Sequence, residues 1–229
     1  VSTARQGSQS VDAAAFLHRV ADLMLAGDDR FRLLGSSVDA NELILRRAGQ
    51  VTTRVWGLHT ETTLSGLRSG REEARRHPVP EHRHVFSPRA ERLCPLLASL
   101  VPAARVGPAP GPMVITDDEH AFLTGPPGSS LAPTLWETTD PTIVAWAREG
   151  FLLSWHAGRP VTDVTTRPLL TGRLLDVALA LADGSSDREI SDELGIGART
   201  TSAEVRRVIQ WCGARSRGHA IAVLVGGSG

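Results

Sequence analysis

Within nine residues the chain carries Arg199, Thr200, Thr201, Ser202, Arg206 and Arg207. Short polar side chains at the start of a helix can reach base edges, and arginines further along can hold phosphates. In that arrangement Arg199, Thr200, Thr201 and Ser202 face bases. Arg206 and Arg207, joined by Arg188 and Arg217, face phosphates. From Arg199 to Arg217 there are five arginines and one acid, Glu204. Such a patch suffices for phosphate contact although the whole chain, with 25 basic and 25 acidic residues, has a formal net charge of zero. A solvated helix face is the bland reading of the same charges.

Other residue types allow and exclude further chemistry. His82 and His84 stand two apart on an alternating stretch, so they share one side of a strand. A metal would need a third ligand such as His77 or Glu81, and a surface role for two histidines is commoner, so no metal is expected. Trp56, His59, Arg83 and His84 lie on or beside strands and form a candidate small-molecule site, since pockets in α/β domains open where strands end. Asp117-Asp118-Glu119-His120 reads as a solvated turn rather than a carboxylate site. Ser36, Ser37 and Ser154 lack a nucleophile-elbow context. All 25 basic residues are arginine, which excludes a Schiff base, a phosphate-loop lysine and any lysine acid/base step. No cofactor is implied. The two cysteines, Cys94 and Cys212, read as free thiols of a reducing cytoplasm. No apolar run reaches the roughly 18 residues of a membrane span, and no signal peptide is visible.

These side chains must be positioned by helices and strands. Val1–Ser10 reads as a disordered lead, and Val11–Gly27 as a helix closed by Gly27. Phe31–Gly35 reads as a short strand or helix end and Asp39–Ala48 as helix. Gln50–His59 and Glu81–Phe86 read as strands flanking a helix at Thr62–Arg76. Glu91–Ser99 follows as helix, then short strands at Ala104–Val106, Met113–Thr116 and Ala121–Thr124, a Gly/Pro/Ser loop at Gly125–Pro133, and a helix at Thr142–Trp155. That order predicts an α/β domain with a mixed sheet. Leu170–Val225 reads instead as four short helices around a small apolar core. Ser186-Asp187-Arg188-Glu189 is a capping-box sequence, and Gly195-Ile196-Gly197 makes a tight turn before a helix at about Ala198–Cys212. Thr171, Ser186 and Ser216 are expected helix caps.

This last stretch resembles the C-terminal DNA-binding domain of LuxR-type (FixJ/NarL-like) transcription regulators. The matching residues are Leu170-Thr171 and Arg173, Ala182 and Gly184, Asp187 and Glu189-Ile190, Leu194-Gly195-Ile196, Arg199-Thr200, Val205, Gly213-Ala214, Ser216-Arg217 and Ala220. The resemblance implies a helix-turn-helix that binds double-stranded DNA. Leu174, Gly197, Thr201, Ser202 and Glu204 stand where the family usually has Glu, Ser, Val, Lys and His. Residues 81–160 in turn are similar in pattern to the effector half of TrmB-like regulators, which is related to the phospholipase D fold. The phospholipase reaction needs a lysine two residues after a histidine. None of His59, His82 and His84 has one, so no enzyme is expected.

The resulting expectation is an α/β effector or dimerisation domain at 11–160, a linker at 161–168 and an all-α helix-turn-helix domain of four helices at 169–229. It describes a sequence-specific, cytoplasmic DNA-binding regulator acting as a homodimer. Its further partners would be an unidentified small-molecule effector and RNA polymerase, with no membrane involved. The alternative is a protein-interaction module whose degenerate helix-turn-helix no longer binds DNA.

Overall fold

A strand needs side chains that suit the two faces of a pleated surface, and the middle of this chain supplies them. A computed structural model describes residues 15–37, 42–44, 46, 51, 53–132 and 134–226. Among these, eight strands form one sheet: β1 (Arg32–Ser36), β2 (Arg54–His59), β3 (Glu81–Phe86), β4 (Arg105–Val106), β5 (Met113–Thr116), β6 (His120–Thr124), β7 (Thr134–Thr138) and β8 (Arg159–Pro160). Their order is β1-β7-β6-β5-β2-β3-β4-β8. β2, β3 and β4 pair in parallel, and the other neighbours are antiparallel. The α/β class and mixed sheet expected from the sequence are present. The expected lead at 1–10 lies outside the described residues, as does most of the expected helix at 39–48.

Two strands escape the sequence pattern. β7 (TLWET) is short and partly polar after a Gly/Pro-rich loop, and its extended form is secured by pairing between β1 and β6. β8 is two residues, one a proline, and sits at the sheet edge, where a missing backbone donor does no harm. The helix expected over 91–99 is divided in two, α3 (Pro88–Leu93) and α4 (Leu97–Leu100). Pro95 lies between them, and its ring and lack of an N–H stop a continuous helix.

Side chains of β2 alternate between two layers. Trp56 and Leu58 face a core shared with helix α1 (15–25) and with α5 (Pro141–Ala157), where Trp56 stacks on Phe151 at 4.8 Å. Asp140 starts α5 by accepting bonds from the N–H groups of Thr142 and Ile143. The other face is covered by α2 (Leu64–Arg76), α3 and α4. Asp117 explains the turn before β6. Its carboxylate accepts from Thr53 N and Oγ1 and from Arg54 N, which pins the start of β2, so this turn is structural rather than merely solvated.

The C-terminal helices are α7 (Gly172–Ala182), α8 (Asp187–Leu194), α9 (Ala198–Trp211) and α10 (Arg217–Leu224), as the all-α expectation requires. They are not isolated from the sheet. One continuous core holds Leu67, Ala90 and Leu97 together with Leu175, Leu181 and Leu224. Arg68 on α2 pairs with Asp183 at 2.5 Å, and Leu170 N donates to Ser99 Oγ at 2.9 Å. The stretch read as a linker begins with the helical turn α6 (Val161–Val164). Val161 is buried, and its N–H bonds the carbonyl of Ala104 at 2.9 Å. That bond fixes the segment to the sheet edge. Cys94 and Cys212 are free and buried, and burial pushes both thiols up to about 11.

Candidate functional site

The presentation of α9 is set by short local signals. Ser186 and Glu189 form the reciprocal capping box that starts α8. Gly195 ends it at φ 62°, ψ 34°, a left-handed conformation in which a Cβ is disfavoured. α9 begins three residues later at Ala198, and its N-cap Gly197 supplies no side-chain bond to the first backbone donors. Ala198, Arg199 and Thr200 around them are exposed. Ser216 caps α10 by accepting from His219 N, as expected. Thr171 stands at the N-cap of α7 without a side-chain bond, so that expected cap is absent.

The sequence-predicted DNA residues divide into three groups. Arg199, Thr200 and Arg206 are exposed on α9, and among the described residues neither arginine has an ion-pair partner. Ser202, Arg207, Arg188 and Arg217 are reachable but engaged. Ser202 donates to Asp187 at 3.1 Å, Arg207 to Glu204 at 3.1 Å, and Arg217 to Asp187 at 2.6 Å and to the Ser185 carbonyl. Arg188 lies 3.9 Å from Asp192 with its side chain almost wholly exposed. Thr201 is the exception. It is wholly buried, 2.6 Å from Ser191 Oγ and 3.3 Å from the Gly197 carbonyl, so it cannot read a base and instead ties α9 to α8. Its spacing to Val205 and Val208, four and then three residues, is the core stripe of the helix and was the available signal. Arg173, for which no contact role was expected from the sequence, lies 3.3 Å from the buried Glu204 carboxylate, which it shares with Arg207.

The four residues of the candidate small-molecule site do not come together. Trp56 and Arg83 face the α5 layer, where the Arg83 guanidinium lies 5.2 Å from the Trp56 ring and 5.3 Å from the Trp155 ring. His59 and His84 face α2. Period-two alternation makes the split unavoidable, because Trp56 and His59 are an odd number of residues apart, as are Arg83 and His84. On the α2 side a cavity of about 650 Å³ opens, lined by His59, His82, His84, Leu67 and Phe86. His59 Nε2 and His84 Nδ1 are 3.0 Å apart. Gly57 permits that approach, since a Cβ there would come within 2.5 Å of the His59 ring and 2.9 Å of the His84 ring. Burial pulls His59 down to about 4; burial, then the neighbouring His59 and His82, pull His84 down to about 3. Burial lowers His82 as well. The His82 Nε2 atom is buried without a hydrogen-bond partner. Among the described residues no group of three or more His, Cys, Asp or Glu is placed to hold a metal.

In class, the molecule is a mixed α/β sheet with helices on both faces, extended by a helical region. No protein-family model matches the chain, and neither does any curated protein. Among solved structures it is similar to TrmBL2, an archaeal chromatin protein described as showing a novel mode of DNA binding (13% identity, TM-score 0.43, 62% of this chain and 60% of that one). It is similar also to Nuc, a phospholipase D family member from Salmonella typhimurium (12%, 0.41, 56% and 95%), and to NucT from Helicobacter pylori (12%, 0.43, 57% and 98%). The chain thus spans 60% of the length of TrmBL2. Among the described residues no helix is long and apolar enough to cross a membrane.

Proposed function

We propose that the chain is a sequence-specific DNA-binding transcription regulator whose contact surface is the exposed face of α9. The observation that carries this reading is the placement of Arg199, Ala203, Arg206 and Gln210 at spacings of four, three and four. They form one solvent-facing stripe on a helix that follows a three-residue turn. The resemblance of residues 170–220 to LuxR-type domains supports the same surface. In this reading Arg199 and Thr200 approach base edges, Ser202 lies beside them, and Arg206, Arg207, Arg188 and Arg217 face phosphates. Thr201 acts behind the surface as a packing residue. The α/β part serves as sensor or dimerisation scaffold, and two copies of the chain bind paired half-sites, because symmetric dimers match repeated sites. The reading includes no catalytic step.

Glu204, shared by Arg173 and Arg207, and Asp187, which engages Ser202 and Arg217, favour a second reading in which this face meets another protein. Salt-dependent binding separates the two. Replacing Arg206 with Ala weakens binding to every duplex sequence and flattens the slope of log K against log salt by about one unit. A wild-type chain that shows no salt-dependent affinity for the DNA upstream of its own gene supports the protein-contact reading instead. An unchanged slope in the variant removes Arg206 from the phosphate contacts.

A further inference from the structure

The wall of the 650 Å³ cavity is built from four places in the chain. The sheet supplies a floor of His59, the last residue of β2, and of His82 and His84, the second and fourth residues of the parallel strand β3. Helix α2 supplies Leu67, and α3 and the end of α4 supply Leu93 and Leu100. Val225 and Gly226, just past α10, complete it. Gly226 lies so close to α3 that a Cβ there would come within 2.5 Å of the Leu93 carbonyl.

The lining dictates what can sit there. Most of it is apolar, which favours a hydrophobic body. The floor is imidazole that carries no charge at neutral pH, so it offers hydrogen bonds without a field to hold an anion or repel a cation. His59 and His84 satisfy each other across 3.0 Å, whereas His82 Nε2 is buried and unpartnered. A buried polar atom left unsatisfied is costly, and a ligand atom that bonds it recovers that cost. A hydroxyl can donate or accept, so it meets His82 Nε2 in either tautomer. At the rim stand Glu61, Glu73 and Arg71, two acids and one base. Glu61 is paired with Arg89 at 3.1 Å, and Glu73 lies 3.6 Å from His77. The rim therefore selects neither sign of charge strongly and disfavours a carboxylate if it disfavours anything.

We propose that this cavity binds an uncharged, mainly apolar alcohol or phenol, its hydroxyl on His82 and its body against Leu67, Phe86 and Leu100. The inference depends on the sensor reading of the α/β part only for its purpose, and its test uses no DNA. Because Val225 and Gly226 form part of the wall, an occupant touches the end of the last helix and the sheet at once.

The experiment is equilibrium binding of 2-naphthol to the full chain at pH 7.5, followed by naphthol fluorescence, beside 2-methoxynaphthalene and 2-naphthoate. Saturable binding is expected for 2-naphthol, weaker for the methoxy compound, whose oxygen cannot donate and is a poorer, more crowded acceptor, and weakest for the anion. Two variants locate the site. His82→Phe weakens 2-naphthol binding about tenfold by removing the bond while keeping a ring in place. Gly70→Trp fills the space, since Gly70 lines the cavity and a Cβ there meets nothing within 4 Å. Tryptophan also favours helix over glycine, so that variant stays folded by circular dichroism while binding is lost. No saturable binding of 2-naphthol, tighter binding of 2-naphthoate, or affinity unmoved in both variants each overturns the proposal.

Discussion

The paired imidazoles of His59 and His84 show how one glycine controls a chemical environment. Without a Cβ at Gly57 the two rings reach each other over the sheet. Their burial then makes stability depend on pH. An unfolded histidine takes its proton near 6.5, whereas in the fold His59 does so only at about 4 and His84 at about 3. Between these values the unfolded chain holds more protons, so stability falls as pH falls and is complete above about 6.5. Each such histidine lowers stability by about 1.4 kcal/mol per pH unit within its window. Urea unfolding at pH 7.5, 6 and 5 should show this steep loss, and a His59→Phe, His84→Phe double variant should flatten it. An equally steep loss in the double variant would place the acid sensitivity elsewhere.

At the scale of elements, the join between α8 and α9 rests on more than the turn. Gly195 supplies the left-handed residue, and Thr201 bonds Ser191 across the two helices at 2.6 Å. Thr201→Val keeps the shape and removes the hydroxyl, leaving Ser191 without that partner. Stability should drop by about 1 kcal/mol, with sequence preference on DNA unchanged. Chemical denaturation and a competition gel shift read the two quantities separately. A change of preference without a change of stability would return Thr201 to the contact surface. The capping box and the turn were legible in the sequence because both depend on residues within three positions of each other. The division of the α3–α4 region was legible too, in Pro95, though the apolar run through Leu93, Leu96 and Leu97 hides it. β7 was not legible, because its strand form depends on pairing with β1, about 100 residues before it, and with β6, about ten before it.

For the whole molecule, the continuous core under α2–α4 and α7–α10 has a mechanical consequence. Leu97 is 1% exposed in a cluster that also holds Leu175, Leu181 and Leu224. The sheet layer and the C-terminal helices should therefore unfold in one transition. Far-ultraviolet circular dichroism and tryptophan fluorescence, with Trp56 in one layer and Trp211 in the other, should give coincident curves. Leu97→Ala should shift both together, at a cost of about 2–5 kcal/mol. Two separated transitions would mean that the helices behave as an independent unit. The contacts that dock the bundle, Arg68 with Asp183 and Leu170 with Ser99, leave the arginine face of α9 outward. The proposed DNA contact therefore requires no undocking.

The sequence by itself determined the local devices: which stretches alternate at period two, which repeat at helical spacing, where caps and left-handed glycines close a helix, and that no lysine chemistry exists. These follow from interactions spanning a few residues, so a few residues encode them. Only the tertiary structure decided that Trp56 and His59 serve opposite faces of the sheet and that Glu204 holds Arg173 and Arg207. It alone also put the end of the last helix into the wall of a cavity floored by three histidines. Those facts depend on the packing of segments far apart in the chain, where burial and approach distance, not residue type, set what a side chain can do.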